Sequence, residues 1–319
     1  MKQQNFLFVD IVSSIFLLVI LMGNFMGLFY ITDGNIVISI LGSVFLVICY
    51  FFVVQQLKKN KEIMKKKNYL HGSSLFWLFY ILLGFLSFVL MSHFINIEYN
   101  CKEHINDEAR SKIKLVDSLV SVYKKRSKED VLNFEAELKT KLIQYKSTKS
   151  NTVQNELMQE PYNMDARVLI NPTSINIDMV ANAKVTPYQL KIEKNIQNMD
   201  TTISMNSEKY LSVFANWKRL SIVATYASLN QYVEENIVLI NSKIAELPLN
   251  KTPIEVSFDK NQIPLNSPFK LNKLYPPQIA IPFITILLLH LFILIPFLSH
   301  NVRAYKKSAP ENQRGTKTI

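Results

Sequence analysis

The sequence predicts an α-helical integral membrane protein with four transmembrane helices and one extracytoplasmic domain, mainly helical with a small sheet (α+β), inserted between the third and fourth. Two observations support this fold class. Of the 319 residues, 49% are hydrophobic and only 7 are Gly, and the apolar residues concentrate in four almost uncharged windows. A helix of about 20 residues covers the hydrocarbon layer of a bilayer, and each window has about that length. The windows are 11–30, 36–54, 74–95 and 278–298.

The first window lies near the N-terminus behind Lys2, where a signal peptide would also lie. Its apolar run is longer than the about 7 to 15 residues of a signal peptide. Asp10 interrupts its front, and no small-residue cleavage site follows Tyr30. We therefore interpret this window as a retained transmembrane helix.

The orientation follows from the basic residues of the short segments between the windows. Loop 55–73 and tail 299–319 are both strongly basic, whereas loop 31–35 carries only Asp33. By the positive-inside rule, both termini and loop 55–73 are cytoplasmic, and 96–277 lies on the opposite side. The basic residues are Lys58, Lys59, Lys61, Lys65, Lys66 and Lys67 in the loop, and Arg303, Lys306, Lys307, Arg314 and Lys317 in the tail.

The net charge of +11 is therefore a topology signal. The inserted region 96–277 is nearly balanced, with 24 basic and 21 acidic residues. The natural partners of the basic segments are anionic membrane lipids. The charge distribution excludes nucleic acid as an expected partner.

Cysteine usage favours a bacterial inner (plasma) membrane. Cys49 lies within the second window and Cys101 just outside the third, so the inserted domain cannot close an internal disulfide. Large extracellular animal domains usually contain several disulfides. We therefore expect a multi-pass inner-membrane protein whose large domain is periplasmic or extracellular.

The inserted domain begins with an apolar stripe at helical spacing from Ile105 to Tyr123, which predicts that the third helix continues outward. Ser127 and Asp130 resemble a capping box, so a second helix is expected to begin there and fold back on the first. Thr186 and Pro187 fit the N-cap and first residue of a later helix.

A last long helix is predicted from Ser207 to Leu247, with an apolar stripe from Leu229 onward that serves either as core or as an oligomer seam. Alternating apolar residues predict the small sheet: a hairpin over 168–179 and a short strand over 254–258. A proline-rich tether then leads to the fourth window.

Within the membrane, His290 is the one ionisable residue near the middle of a window. Such residues often mark a proton or substrate path. At similar depth the other windows offer Ser43, Gly84 and Ser87, and a proton relay would need a better partner. We therefore expect a neutral His290 that is hydrogen-bonded to a neighbouring helix.

Gly23 and Gly27 form a G-x-x-x-G pattern in the first window, with Asn24 beside them. Small residues at this spacing let two helices approach closely. The pattern leaves two interpretations open, packing within the chain or contact with another subunit. Gly23, Asn24, Gly27 and His290 are the predicted helix-contact residues.

No catalytic or metal cluster is predicted. Cys101, His104 and Glu108 fall on one helical face, but structural zinc normally has four ligands, and no further His or Cys occurs within 105–277. The region 96–277 has no Gly, which excludes G-x-S-x-G and glycine-rich phosphate loops. We expect no enzymatic activity and no cofactor.

Three functional hypotheses remain. The favoured one is a non-enzymatic membrane subunit or scaffold of an envelope complex, which binds membrane or periplasmic proteins, or further copies of itself, through its extracytoplasmic helices. The alternatives are a sensor that signals through a partner and a subunit of an oligomeric transporter or channel. The short cytoplasmic segments disfavour an autonomous sensor, and the scarcity of deep polar groups disfavours a transporter.

Overall fold

The computed structural model describes residues 8–62 and 69–299. The chain divides into two compact units, one of Met1–Cys101 with Pro264–Ile319 and one of Lys102–Ile263. The second unit is shorter at both ends than the predicted domain 96–277. Lys65, Lys66 and Lys67 of the basic loop, and the basic tail after residue 299, lie outside the described residues.

Among its described residues, the first unit contains four helices that are long and apolar enough to cross a membrane, which confirms this part of the predicted fold class. Helix α1 packs against α2, α3 and α10. Leu294 interrupts the last of the four, and a short helix follows it. The helices are α1 (Phe8–Ile31), α2 (Ile36–Glu62), α3 (Tyr69–Asn96) and α10 (Ala280–Ile293), continued by α11 (Ile295–Ser299).

A tight turn joins α1 to α2. Asp33 and Gly34 both adopt positive φ, 52° and 82°, and Asp and Gly tolerate this conformation better than most residues. The Asn35 side chain then accepts a hydrogen bond from the Ile38 N–H (3.1 Å) at the start of α2. The turn makes α1 and α2 antiparallel neighbours.

Helical conformation runs without interruption from Ser73 to Thr148, through a π-helical turn at Ile97–Cys101 and into α4 (Lys102–Thr148). The predicted end of the first outer helix near Ser127 is therefore wrong. The Ser127 hydroxyl donates to the Lys124 carbonyl (3.2 Å) inside the helix. No Gly or Pro lies between residues 85 and 160 to break it.

Asp130 does not cap a helix. It is 4% exposed, and its carboxylate accepts hydrogen bonds from the backbone N–H groups of Leu249 (3.1 Å) and Asn250 (2.6 Å). The Arg126 guanidinium donates to the Asn250 carbonyl (3.0 Å). The two α4 side chains thus hold the loop that follows the last long helix of this unit.

After α5 (Asn151–Met158), the chain forms α6 (Ile177–Ala215), which starts ten residues before the predicted position. The Asn176 side chain caps α6 by accepting from the Met179 N–H (3.1 Å). Pro187 lies inside the helix, and the Thr186 hydroxyl donates to the Asn182 carbonyl (2.7 Å). The helix continues past Pro187 because a proline removes only one backbone hydrogen bond and the flanking turns bury Ala181, Val185 and Ile192 on one face.

The predicted helix from Ser207 to Leu247 is divided. Ser207 lies within α6, and the chain turns at Trp217, which has a φ of 45°. Two helices follow, α7 (Arg219–Ala227) and α8 (Leu229–Ile244). A non-Gly residue with positive φ cannot continue an α-helix, so the break falls there.

The small sheet is not formed in the described part of the chain, which contains no strand. Region 168–179 instead has 3-10 turns at Ala166–Leu169 and Pro172–Ser174, followed by the start of α6. Pro172 occupies the first turn position, where its fixed φ favours a helical turn over a strand. Region 254–258 has no partner strand.

The core of the second unit lies where α4 packs against α6 and α8. Ile113, Phe134 and Leu138 of α4 are at most 1% exposed. The stripe from Leu229 to Leu247 is also buried within the chain, so it serves as core, although Ile237 is only half-buried.

Replacing Ile240 by Asp should destabilise the second unit. Ile240 is 1% exposed, and burying an unpaired carboxylate there should lower the free energy of unfolding by at least about 3 kcal/mol. The measurement is urea unfolding of a fragment spanning 102–263, followed by circular dichroism, which should also show a soluble and mainly helical domain.

Val238→Asp is the matched control, because Val238 lies on the same helix and is 68% exposed. Its free energy of unfolding should remain within about 0.5 kcal/mol of the parent. Equal destabilisation by both variants would contradict the assigned faces of α8.

Candidate functional site

Gly23 and Gly27 face α3 of the same chain. A Cβ on Gly27 would lie 2.7 Å from the Leu90 carbonyl carbon and 2.9 Å from its Cα, and a Cβ on Gly23 would collide with the Met91 side chain. The glycines therefore allow the backbones of α1 and α3 to approach each other. The structure places the G-x-x-x-G face inside the four-helix bundle.

Asn24, between these glycines, is fully buried. Its amide nitrogen donates to the Ser87 hydroxyl of α3 (3.0 Å). Its Oδ1 atom has no hydrogen-bond partner within residues 8–62 and 69–299. Asn24 thus links α1 to α3 and retains one unused acceptor.

His290 of α10 meets side chains from two other helices. Its Nε2 atom lies 2.8 Å from the Tyr50 hydroxyl of α2, and the Tyr80 hydroxyl of α3 donates to its backbone carbonyl (2.7 Å). Both tyrosine rings pack edge-on against the imidazole. A Cβ on Gly84 would lie 2.8 Å from Nε2, so this glycine provides the space for the ring.

The neighbours of His290 determine which atom carries its proton. Nδ1 lies 2.8 Å from the Ile286 carbonyl, which can only accept, so Nδ1 donates. The Tyr50 hydroxyl lies within hydrogen-bond distance of both His290 Nε2 (2.8 Å) and the Ser87 hydroxyl (3.0 Å). The result is one hydrogen-bonded chain from Asn24 through Ser87, Tyr50 and His290.

This chain contains no carboxylate, and a neutral imidazole completes it with ordinary hydrogen bonds. Its role is structural, because it holds four helices of the bundle together. The sequence identified Asn24 and His290 but not Tyr50 or Tyr80. The available signal was a tyrosine within an apolar window, because tyrosines usually lie at the membrane interface.

Polar contacts also tie the ends of the bundle. At one end Lys58 pairs with Asp10 (3.2 Å), and at the other a His93 ring nitrogen lies 2.7 Å from the Leu265 carbonyl. Asn96 donates to the Asn272 side chain (3.0 Å) and to the Tyr275 carbonyl (2.9 Å). Residues 265–275 of the predicted tether are thereby packed against α3, and they include a short helix, α9 (Pro268–Leu274).

The described residues contain no cluster of three His, Cys, Asp or Glu that could hold a metal ion. Of the candidate ligands, Cys101 is fully buried, and burial raises the pKa of its thiol to about 12. Glu108 accepts hydrogen bonds from Lys112 (2.6 Å) and from the Tyr226 hydroxyl.

Lys112 lies at the centre of a polar cluster in the second unit. It is 6% exposed and donates to Glu108 and to the Asn230 side chain of α8, both at 2.6 Å. The Tyr226 hydroxyl accepts from the Ile263 N–H (2.9 Å). This cluster joins α4, α7 and α8 to the chain segment before residue 264.

That segment, 251–263, lies along α8. The Asn241 carboxamide accepts from the Ile254 N–H (2.8 Å) and donates to the Ile254 carbonyl (3.1 Å). Asn230 donates to the Lys260 carbonyl (2.7 Å). Two asparagines of one helix therefore hold the segment at both of its ends.

A groove of about 500 Å³ separates α4 from this segment. Its walls combine two acidic and two basic side chains with three serines and the apolar Leu115 and Phe258. The α4 wall is formed by Glu108, Ser111, Lys112, Lys114, Leu115 and Ser118, and the opposite wall by Ser257, Phe258 and Asp259. A second groove, of about 440 Å³, runs between α4 and α6, where Lys124 pairs with Asp200.

Comparison of the chain with protein-family models, with curated proteins and with solved structures gives no significant match.

Replacing Gly27 by Ala should destabilise the membrane bundle. The added Cβ would meet the backbone of Leu90, which cannot move away without separating α1 from α3. We expect a loss of about 1 to 3 kcal/mol, observed as a lower melting temperature of the full chain in mild detergent.

Gly42→Ala is the control, because its Cβ would meet only the Cδ1 atom of Leu28 (2.9 Å), the end of a flexible side chain. Both substitutions raise helix propensity equally. A Gly27→Ala protein that melts with the control but changes its oligomeric mass would contradict the intrachain assignment.

Proposed function

We propose that this chain is a non-enzymatic membrane subunit or scaffold of an envelope protein complex, and that its Lys102–Ile263 unit binds partner proteins. The observation that carries the proposal is the groove between α4 and residues 257–259. Within it, Glu108 and Lys112 neutralise each other, and hydroxyl, carboxylate, ammonium and apolar groups alternate along the walls. Such a mixed surface suits a polypeptide better than a metal ion or a simple anion.

The arrangement of the membrane unit supports the same proposal. Its buried polar side chains bind one another across helices, as Asn24 and Tyr50 do with Ser87. Its G-x-x-x-G face is covered by α3. A bundle whose polar groups bind one another is suited to anchoring the chain in the membrane. Recognition of partner proteins is then the role of the Lys102–Ile263 unit.

The proposal includes an orientation in the inner membrane, with both termini cytoplasmic and the helical unit periplasmic or extracellular. It is supported by the lysines around the α2–α3 connection and by the basic tail. In this orientation the partners are membrane or periplasmic proteins.

The orientation can be tested with single cysteines and a membrane-impermeant maleimide. Lys128→Cys, on an exposed position of α4, should be labelled in intact cells, and Lys59→Cys, exposed near the end of α2, only after permeabilisation. The parent chain is the control, because Cys101 is buried and should react slowly. Labelling in the reverse order would overturn the orientation.

A second candidate function, an extracytoplasmic sensor that signals through a partner, is favoured by the helix that continues from Ser73 to Thr148. Ligand binding in the second unit could alter the conformation of the π-helical turn at Ile97–Cys101, and such turns are frequent at functional sites. Shortening that turn by one residue should change a signalling output and leave simple protein binding intact. A signalling output that is the same with and without this residue would favour the scaffold.

Protein binding is tested by photo-crosslinkers at exposed positions of the full chain in its native membrane. We expect a specific partner or a second copy to be trapped at Lys114, beside the groove, and little at Lys125, which lies farther along α4. Glu234 of α8 provides a further position outside the groove. A chain that crosslinks at none of these sites, remains monomeric in mild detergent and catalyses transport or a reaction when purified would overturn the proposal.

A further inference from the structure

We infer that the groove receives an extended segment of a partner protein, which adds as a β-strand to the free edge of residues 255–259. This inference rests on the proposed protein-binding function and specifies the partner's form. The first observation is the exposure of side chains along the segment. Ile254, Val256 and Phe258 are half-buried, whereas Glu255, Ser257 and Asp259 are exposed. Alternation with a period of two is the pattern of an extended chain.

The hydrogen bonds at the two ends of the segment show which edge is covered. The Asn241 carboxamide exchanges two hydrogen bonds with Ile254, as a residue of a neighbouring strand would. Asn230 donates to the carbonyl of Lys260, which, like Ile254, is an even-numbered residue. In an extended chain the backbone groups of alternate residues point to the same edge, so the even-numbered residues face α8, which binds them at Ile254 and Lys260. The backbone groups of Val256 and Phe258 on this edge have no hydrogen-bond partner among the described residues.

The backbone groups of Glu255, Ser257 and Asp259 therefore point to the opposite edge. None of their N–H or carbonyl groups has a hydrogen-bond partner in the described part of the chain. Ser257 and Asp259 also line the groove. The free edge and the groove thus coincide, and a strand added there would lie about 4.8 Å from the segment.

The residues around the free edge indicate what kind of molecule binds there. Because α4 forms the other wall of the groove, the space suits a single extended chain and not a strand that has a further strand on its other side. A second copy of this chain cannot pair symmetrically through the same edge, because α4 of that copy would lie beside its own edge in the same way. Lys114 has no ion pair within the described residues, whereas Lys112 is paired with Glu108. An extended peptide with alternating apolar residues and an acidic end therefore matches the site, by the recognition mode known as β-augmentation.

The test uses the full chain in detergent and a fluorescent peptide of alternating Thr and Val that ends in Asp. Its twin carries N-methyl groups on alternate residues, which remove the N–H donors of one edge and keep the side chains. We expect saturable binding of the first peptide by fluorescence anisotropy and at least tenfold weaker binding of the twin. Equal binding of the two peptides, or binding of neither, would overturn the inference.

Substitutions at Ser257 provide a matched pair. Ser257→Pro removes the N–H on the groove edge and should weaken peptide binding at least tenfold, whereas Ser257→Ala retains that N–H and should bind as the parent does. Ser257 is exposed, so both variants should keep the parent's melting temperature. Equal binding by the two variants would contradict strand addition.

Ser118→Trp provides a second route if Ser257→Pro is unstable. Ser118 is exposed on α4, and the indole would fill the groove from the opposite wall. We expect peptide binding to be lost and the melting temperature to be kept. If crosslinks at Lys114 trap a partner while no peptide binds and Ser118→Trp has no effect, protein binding stands and strand addition fails.

Discussion

Hydrocarbon offers no hydrogen-bond partner, so each polar group within a membrane bundle must find its partner in the protein. In this chain that constraint determines which helix faces meet. Asn24 and Ser87 join α1 to α3, and Tyr50 and His290 join α2 to α10. The glycines at 23, 27 and 84 provide the space for these contacts. A substitution in any of these side chains would leave a buried partner unsatisfied as well as remove a contact.

Buried charge obeys the same rule in the Lys102–Ile263 unit. Asp130 is compensated by two backbone N–H groups, and Lys112 by Glu108 and Asn230. Asp130 thereby fixes the loop after α8 to α4, and Lys112 joins α4 to α8. Asn230 and Asn241 of α8 hold the segment 254–260. The helices are arranged by apolar packing, and the path of the connecting chain is determined by these few polar anchors. The groove exists because the anchors hold residues 254–260 beside α8.

The transmembrane helices could be predicted because an apolar run of this length has one stable conformation in lipid. The breaks within the second unit could not be predicted equally well. Pro187 and Ser127 carry helix-boundary signals, yet packing of the surrounding turns outweighs them. The alternation at Ile254 predicted a strand, but no strand forms there in the described residues, because a sequence does not show whether a partner strand exists. The contact of Tyr50 with His290 could not be predicted from residue position alone, because a tyrosine side chain reaches across more than one helical turn.

Pro253 has consequences for how long any complex formed at this edge would last. Like Glu255, it is an odd-numbered residue and so faces the same edge, and it has no N–H to donate. At the other end, the Asn261 N–H donates to the Asp259 side chain (2.9 Å). A strand paired with this edge would therefore be held by only three residues of the chain, Glu255, Ser257 and Asp259. A net gain of about 0.5 to 1.5 kcal/mol per hydrogen bond gives such a short ladder a modest affinity. The proline would thus favour a partner that dissociates quickly and can be exchanged, and it would prevent the growth of a longer intermolecular sheet.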